Sequence, residues 1–430
     1  MKKHIFSIIA VFFISLTTTA QVDRTEQPKP GPAPTINLGT PNTFTLKNGL
    51  KVMVVENHKL PTVSATLLID NPPMSFGNKK GVDGFVGGML GTGSTNISKE
   101  KFDKEVDYLG ANISFGSSSA NASSLTKYFP RILELMADAA FNPIFNQGEF
   151  DKQMKQSLSG IKNSQKSVTA IARRVENALG YGKNHPSGEF TTEATLKNIK
   201  LQDVKDNYNT YYKPNNAYLV IIGDIDYKTI KKKITSLFSE WKKGIIPASN
   251  KPKVKNLDHT EINFVNMPNA VQSEISVLNT IKLSIKDKDY FSVLLANYIL
   301  GGGSNSRINK NIREDKGYTY GAGSGVGTSR YDTRFRASTA VRNTVTDSTV
   351  VELLKEINII RFQPVTADEL KTAKASYTGS FVRAIERSST IANYALNIER
   401  LGLDEDFYKN YLKNLNAVTI KDVQNAAYKY

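Results

Sequence analysis

The sequence predicts an α+β protein of two tandem homologous domains, each a mainly antiparallel sheet with helices packed on one side. Two observations predict this. Extended segments, hairpins and amphipathic helices alternate along the chain, and three segments recur in the same order about 220 residues later. They are FNPIFNQGEFDKQMKQSLSG with FQPVTADELKTAKASYTGS, IARRVENA with IANYALNIE, and LQDVKDNYNTYY with IKDVQNAAYKY. An offset of this length indicates a duplicated domain rather than a short-period repeat.

The first 20 residues are typical of a secretory signal peptide, with basic Lys2 and Lys3, an apolar run and a cleavage point after Ala20. The apolar run is too short to span a bilayer, and no later stretch is longer. We therefore expect an exported protein without a transmembrane span, periplasmic if the cell is Gram-negative. Residues 21–42 are rich in Pro and polar residues and are typical of a tether.

Composition narrows the classes of protein and of binding site that this sequence can represent. An apolar content of 40% and a charged content of 22% are ordinary for a soluble globular protein. The absence of Cys excludes a lipid-modified Cys anchor and thiolate metal ligands. The net charge of +16 is spread along the chain, so we expect no nucleic-acid binding, although the positive field still favours acidic partners or a membrane surface.

The N-terminal domain is expected over residues 43–243. Asn48-Gly49 predicts a two-residue turn between two strands, and TVSATLLID predicts a third. Then follow a glycine-bearing helix from Gly81, a helix in SKEKFDKEVDYLG, a hairpin in ANISFGSSSANASSLTKY and a helix in FPRILELMADAAFNP. One long helical stretch, Gly148 to about Leu179, precedes an apolar strand in NNAYLVIIGDID.

A Pro- and Lys-rich linker at 244–258 leads to the C-terminal domain, 259–430. The repeat ends with IKDVQNAAYKY, before a counterpart of the apolar strand that closes the first domain. A sheet without that strand would expose unpaired backbone groups. We therefore expect the full protein to add about 15 or more residues with an apolar run after Tyr430.

The element order resembles that of the pitrilysin/insulinase-like zinc peptidases from about Thr43 to the end. Their first motif is G-x-x-H-x-x-E-H-M-L, in which two His bind zinc and the Glu activates water. Gly84 and Gly88 stand at the His positions and Gly87 at the Glu position, whereas the frame is kept at Gly81, Phe85, Met89 and Leu90. The resemblance implies a helix that has lost its metal-facing side chains. Close packing is the alternative, which explains one glycine better than three at these positions.

No metal or other cofactor is expected. The family's third ligand is a Glu about 70 to 80 residues downstream, but Lys152–Val175 contains no Glu, Asp or His. His58, His185 and His259 are scattered without ligand spacing, whereas zinc needs three protein ligands. The glycine runs lack the Lys-Ser/Thr of a phosphate-binding loop.

The segment 300–325, LGGGSNSRINKNIREDKGYTYGAGSG, resembles the family's other motif: a Gly-rich turn, then R-L/I, L/I-R-E and G-x-x-Y. Arg313 and Tyr320 match its Arg and Tyr, which in the family contact the substrate backbone and stabilise the oxyanion from the opposite domain. The resemblance also implies that Gly301, Gly302 and Gly303 contact substrate. In the alternative, Arg313 pairs with a neighbouring acid (Glu314 or Asp315) and Tyr320 is an ordinary strand aromatic.

The resemblance implies an exported, non-metallated subunit of a heteromeric zinc metallopeptidase, such as a heterodimer active in proteolysis. Its partner would be a related H-x-x-E-H subunit. This chain would bind an unfolded peptide by strand addition to a sheet edge and donate Arg313 and Tyr320 to the partner's site. The alternative is a peptidase-derived scaffold or peptide-binding protein with no catalytic role. A peptidase acting alone is not expected, because ligands and base are absent.

Overall fold

Two sheets, one in each half of the chain, organise the structure. The computed structural model describes residues 39–430, so the predicted signal peptide and most of the predicted tether lie outside the described residues. The first sheet is formed by β1 (Asn42–Thr45), β2 (Lys51–Glu56), β3 (Thr62–Ile69), β4 (Asn112–Gly116), β5 (Ser119–Leu125) and β6 (Ala217–Gly223). The second is formed by β7 (Gln272–Ile281), β8 (Ala322–Val326) and β9 (Thr333–Arg342).

Helices surround both sheets. The first half contains α1 (Val82–Met89), α2 (Lys99–Tyr108), α3 (Phe129–Phe141), α4 (Gln147–Ser164), α5 (Val168–Tyr181), α6 (Glu193–Lys197), α7 (Leu201–Tyr211) and α8 (Tyr227–Phe238). The second half contains α9 (Tyr290–Asn297), α10 (Thr346–Phe362), α11 (Ala367–Ile385), α12 (Ser388–Leu401), α13 (Tyr411–Ala417) and α14 (Ile420–Lys429). Two π-helical segments, Tyr298–Gly302 and Asn309–Asp315, follow α9. None of the helices in residues 39–430 combines the length and apolarity that a bilayer span requires.

The first sheet has the strand order β1-β2-β6-β3-β5-β4 and is antiparallel except between β2 and β6. Alternation decides which side faces the core: Val63, Ala65 and Leu67 are buried beneath the helices, whereas Thr66 is exposed on the other face. The predicted mainly antiparallel α+β architecture is therefore confirmed. β4 forms one edge of this sheet and lies next to α1.

The second sheet has the order β7-β9-β8 and is antiparallel throughout. Its core side is formed by residues such as Ile275, Ala337 and Val341, which pack with residues of α9 and α10. Among the strands of residues 39–430, β7 has one neighbour, whereas β3 lies between β5 and β6. The segment before β7 exposes Ile262 and Phe264.

The two halves exchange helices. α5, from the first half, packs on the second sheet, where Glu176 accepts hydrogen bonds from Arg336 and Ser276 and pairs with Arg334. α12, from the second half, covers part of the first sheet and buries Ala392 beside Met53, Val55 and Val220. Residues 39–430 consequently belong to one compact unit.

Two local predictions are wrong. The helical stretch expected from Gly148 to Leu179 is broken between α4 and α5, because Ser167 caps α5 by accepting a hydrogen bond from the backbone of Ala170. The β1–β2 turn is longer than two residues and spans Leu46–Leu50, with Gly49 at a φ of 93°. The cause is Asn48, whose buried amide donates to the carbonyls of Phe238 and Trp241 instead of completing a tight turn.

Candidate functional site

Arg313 lies near the end of the second π-helical segment, with its side chain exposed. No ion pair or hydrogen bond within residues 39–430 involves its guanidinium, so the expected alternative of an ion pair with Glu314 or Asp315 is not what the structure shows. π-helical segments are rare and occur frequently at functional sites. Arg313 is therefore a permanently charged donor that the fold leaves free to bind another molecule.

The segment that carries Arg313 is firmly held. The buried amide of Asn311 donates hydrogen bonds to Glu352 at 2.8 Å and to Glu356 at 2.7 Å, both on α10. The hydrogen bond from Asn311 lowers the pKa of Glu352. On the same stretch, Arg307 forms a bidentate pair with Glu369, which lowers the pKa of that carboxyl to about 2. The free Arg313 side chain thus stands on a rigid support.

Tyr320 is highly exposed, with 96% of its surface accessible. It precedes β8 rather than lying within it, so it is not an ordinary strand aromatic packed against neighbours. Within the described residues its hydroxyl has no hydrogen-bond partner, whereas Thr319 beside it donates to the carbonyl of Ala340. The structure therefore places two free donors, Arg313 and Tyr320, at the two ends of one short connection before β8.

The three glycines predicted to contact substrate have a visible packing role. A Cβ on Gly301 would lie 2.3 Å from the backbone nitrogen of Ser324 on β8. Cβ atoms on Gly302 and Gly303 would lie 2.9 Å from the Asn297 amide and 2.8 Å from the Tyr298 ring. Gly301 lets the first π-helical segment approach β8 closely, whereas Gly302 and Gly303 leave room for the side chains of Asn297 and Tyr298. Their contact with substrate stays a prediction.

The glycines of α1 differ from one another. A Cβ on Gly84 would meet no atom within 4 Å, and one on Gly88 would meet only the Gln153 side chain, at 2.7 Å. A Cβ on Gly87 would lie 2.6 Å from the backbone of Gly116 and of Ser117, at the end of β4. Close packing therefore explains Gly87 but not Gly84. Neither interpretation accounts for all three glycines alone.

The residues at this helix do not fit zinc, because glycine offers no ligand atom. Within residues 39–430, no three His, Asp or Glu side chains are grouped so that they could hold a metal ion. The three histidines of residues 39–430 lie apart: His58 pairs with Asp224, His185 is buried near Asp332, and His259 lies near Glu261.

Sequence reasoning missed the residues that support the motif. Asn311 and the two glutamates of α10 come together only in the fold, so their spacing in the sequence carries no signal. Thr319 had a local signal, because a Thr two residues before Gly321 can accept a hydrogen bond from that backbone N–H.

Comparison with known proteins decides the family. The profile of the insulinase family, peptidase family M16, matches residues 51–212, and the profile of the peptidase M16 inactive domain matches residues 198–377. The chain belongs to the M16 peptidase family. The inactive-domain profile covers the stretch with Arg313 and Tyr320.

Relatives of this M16 protein carry different descriptions. An uncharacterized zinc protease, YmxG of Bacillus subtilis, is 23% identical over 410 residues, covering 89% of this chain and 94% of the relative. A non-peptidase homolog, YmxG of Helicobacter pylori, is 21% identical over 388 residues, covering 88% and 89%. The mitochondrial-processing peptidase subunit alpha of Solanum tuberosum is 23% identical over 217 residues, covering 48% of this chain and 42% of the relative.

A solved structure has the same fold. The peptidase M16 inactive domain from Pseudomonas fluorescens superposes with a TM-score of 0.79 at 22% identity, covering 91% of this chain and 95% of that one. Together these comparisons confirm a peptidase-derived chain, and the plant relative is by name one subunit of a processing peptidase.

Proposed function

We propose that this chain is an exported, non-metallated subunit of a heteromeric zinc metallopeptidase that presents Arg313 and Tyr320 to the active site of a partner subunit. The observation that carries the proposal is the exposure of both side chains, without partners in residues 39–430, on a firmly held support. Two exposed hydrogen-bond donors on a rigid backbone can bind another molecule.

The chemistry of the pair suits peptide hydrolysis. Attack of water on a peptide carbonyl develops negative charge on its oxygen. A guanidinium offers permanently charged, rigidly oriented donors, and a phenol hydroxyl offers one directed donor; both stabilise such an oxygen. No step at a metal is assigned to this chain, because its α1 helix supplies no ligand.

Peptide binding is proposed at the edge strand β4. Its outer edge has no neighbouring strand among residues 39–430, and Asn112 and Ser114 are exposed along it. An extended peptide can add to such an edge through main-chain hydrogen bonds. Because Gly87 packs against the end of β4, a peptide on this edge would pass close to α1.

The test begins with co-purification from the native source. We expect a related chain with an intact H-x-x-E-H motif to accompany this one and the complex to cleave unfolded peptides. Arg313→Ala and Tyr320→Phe should each lower kcat about ten- to a thousandfold while the complex stays assembled, because each removes an oxyanion donor. Arg342→Ala and Tyr428→Phe, at other exposed positions, are the matched controls.

A second candidate, a scaffold or peptide-binding protein without catalytic role, is favoured by the name of the Helicobacter relative and by the inactive-domain match. The same variants separate the two functions. Control-like rates for both Arg313→Ala and Tyr320→Phe would establish the scaffold and contradict the catalytic proposal.

A further inference from the structure

Two threonines tie down the backbone on both sides of Tyr320. The Thr319 hydroxyl donates to the carbonyl of Ala340 at 2.7 Å and accepts from the Gly321 N–H at 3.2 Å. The Thr339 hydroxyl donates to the carbonyl of Gly321 at 2.9 Å. Thr339 and Ala340 are consecutive residues of β9, so the residues before and after Tyr320 are fixed to one point of the sheet.

The two threonines are less exposed than Tyr320, whose neighbours they hold. Thr339 is 5% exposed and belongs to the paired part of β9, where it lies opposite Ala322. Tyr320 is 96% exposed. A buried hydroxyl without a partner is costly, so Thr339 is held in its contact, and the half-buried Thr319 is held by its two hydrogen bonds. Because a Tyr side chain has two rotatable bonds, a fixed backbone limits the phenol oxygen to the few positions that the staggered rotamers allow.

We propose that Thr319 and Thr339 are positioning residues that aim the Tyr320 hydroxyl at the reacting carbonyl. This inference rests on the proposed function, in which Tyr320 donates to the oxyanion. Catalytic donors must be held within about 0.5 Å of their productive position, and a misplacement of about 1 Å can cost a hundredfold in rate. Neither threonine touches substrate; each acts through the loop.

We call the hydrogen bonds of Thr319 and Thr339 to the backbone around Tyr320 the clamp. One experiment tests the clamp without an activity assay. Hydrogen exchange at the Gly321 amide, measured on the isolated chain, should be faster in Thr319→Val, because valine keeps the shape and removes the acceptor. Thr319→Ser, which keeps the hydroxyl, should restore slow exchange. Equal exchange in wild type and Thr319→Val would overturn the clamp.

A second experiment tests what the clamp does in the complex. Thr319→Val and Thr339→Val should each lower kcat about three- to tenfold with little change in KM, the effect expected for losing one hydrogen bond. Thr319→Ser should recover the rate. In a Tyr320→Phe background, Thr319→Val should cause no further loss, which a merely structural role would not predict.

The matched control is Thr346→Val, which removes a part-buried hydroxyl bound to Ser273 and Asn343 elsewhere in the same half. If Tyr320→Phe slows the complex but Thr319→Val and Thr339→Val behave like this control, positioning is wrong and the proposed function stands. If Tyr320→Phe itself has wild-type kcat, both proposals are overturned. Melting temperatures of all variants separate loss of rate from loss of fold.

Discussion

Replacing Gly84 and Gly87 of α1 by alanine, one at a time, should change stability in opposite directions. Both are helical positions of the same short helix, so the intrinsic gain of alanine over glycine is similar for both. Their surroundings differ. A Cβ at position 84 enters open space, whereas a Cβ at position 87 would lie 2.6 Å from backbone atoms of Gly116 and Ser117.

The magnitudes follow from these contacts. Alanine in a helix interior is worth about 1 kcal/mol over glycine, and Gly84→Ala should gain about 0.5–1 kcal/mol, since it lies in the first turn. Ordinary contact between a Cβ and a neighbouring atom begins at 3.4 Å, whereas the Cβ at position 87 would lie 2.6 Å from the backbone. Either α1 or the end of β4 must therefore move by almost 1 Å. Overpacking costs about 1–3 kcal/mol, and we expect the upper part of that range, about 2–3 kcal/mol, because backbone atoms cannot swing aside. We expect a net loss of about 1–2 kcal/mol.

Urea unfolding followed by circular dichroism measures the difference. The two variants should differ by about 1.5–3 kcal/mol in free energy of unfolding. Gly88→Ala should fall between them, because the Gln153 side chain that it meets can rotate away. If Gly87→Ala is as stable as wild type or more stable, the conclusion that Gly87 packs closely against the end of β4 is wrong.

Three further results are expected. Glu176→Gln should destabilise the chain by about 3 kcal/mol in urea unfolding, because it leaves two arginines facing a neutral group, whereas the exposed Glu193→Gln should cost less than about 0.5 kcal/mol; equal losses would contradict this. Burial lowers the pKa of His185, so the unfolded chain binds a proton at this ring first when the pH falls. The neutral buried ring therefore contributes to stability above about pH 6.5, and this contribution is lost as the pH falls below that value. His185→Gln should flatten that decline, and an unchanged pH profile would refute it. Metal analysis of the purified chain should find far less than one zinc per chain, and a peptidase assay should find no chelator-sensitive cleavage. Stoichiometric zinc would disprove the loss of the metal site.

Much of the fold was readable from local patterns. The alternation in TVSATLLI and the apolar periodicity of α2 and α3 predict these elements because each depends on its own residues. The break between α4 and α5 was missed, since both sides are good helix formers and only the cap at Ser167 marks it. The long β1–β2 turn was missed for another reason: the partners of Asn48 lie about 190 residues away.

The candidate site divides in the same way. Arg313, Tyr320 and the glycines of α1 were singled out by their resemblance to the family's motifs, because a motif keeps its positions in the sequence. Their exposure and support could not be found, because these depend on contacts from α10 and β9. The π-helical geometry was also invisible, since it reflects how the chain fits between packed elements rather than residue preference.

The exchange of helices between the halves means that the duplicated units are no longer modules. A first half expressed by itself would leave Met53, Val55 and Val220 without the cover of α12, and a second half would leave Arg334 and Arg336 facing no carboxylate. Replacing one half by that of a distant relative would require the matching helix to be exchanged with it. The two copies have therefore become complements of each other, and in evolution each constrains which substitutions the other can accept.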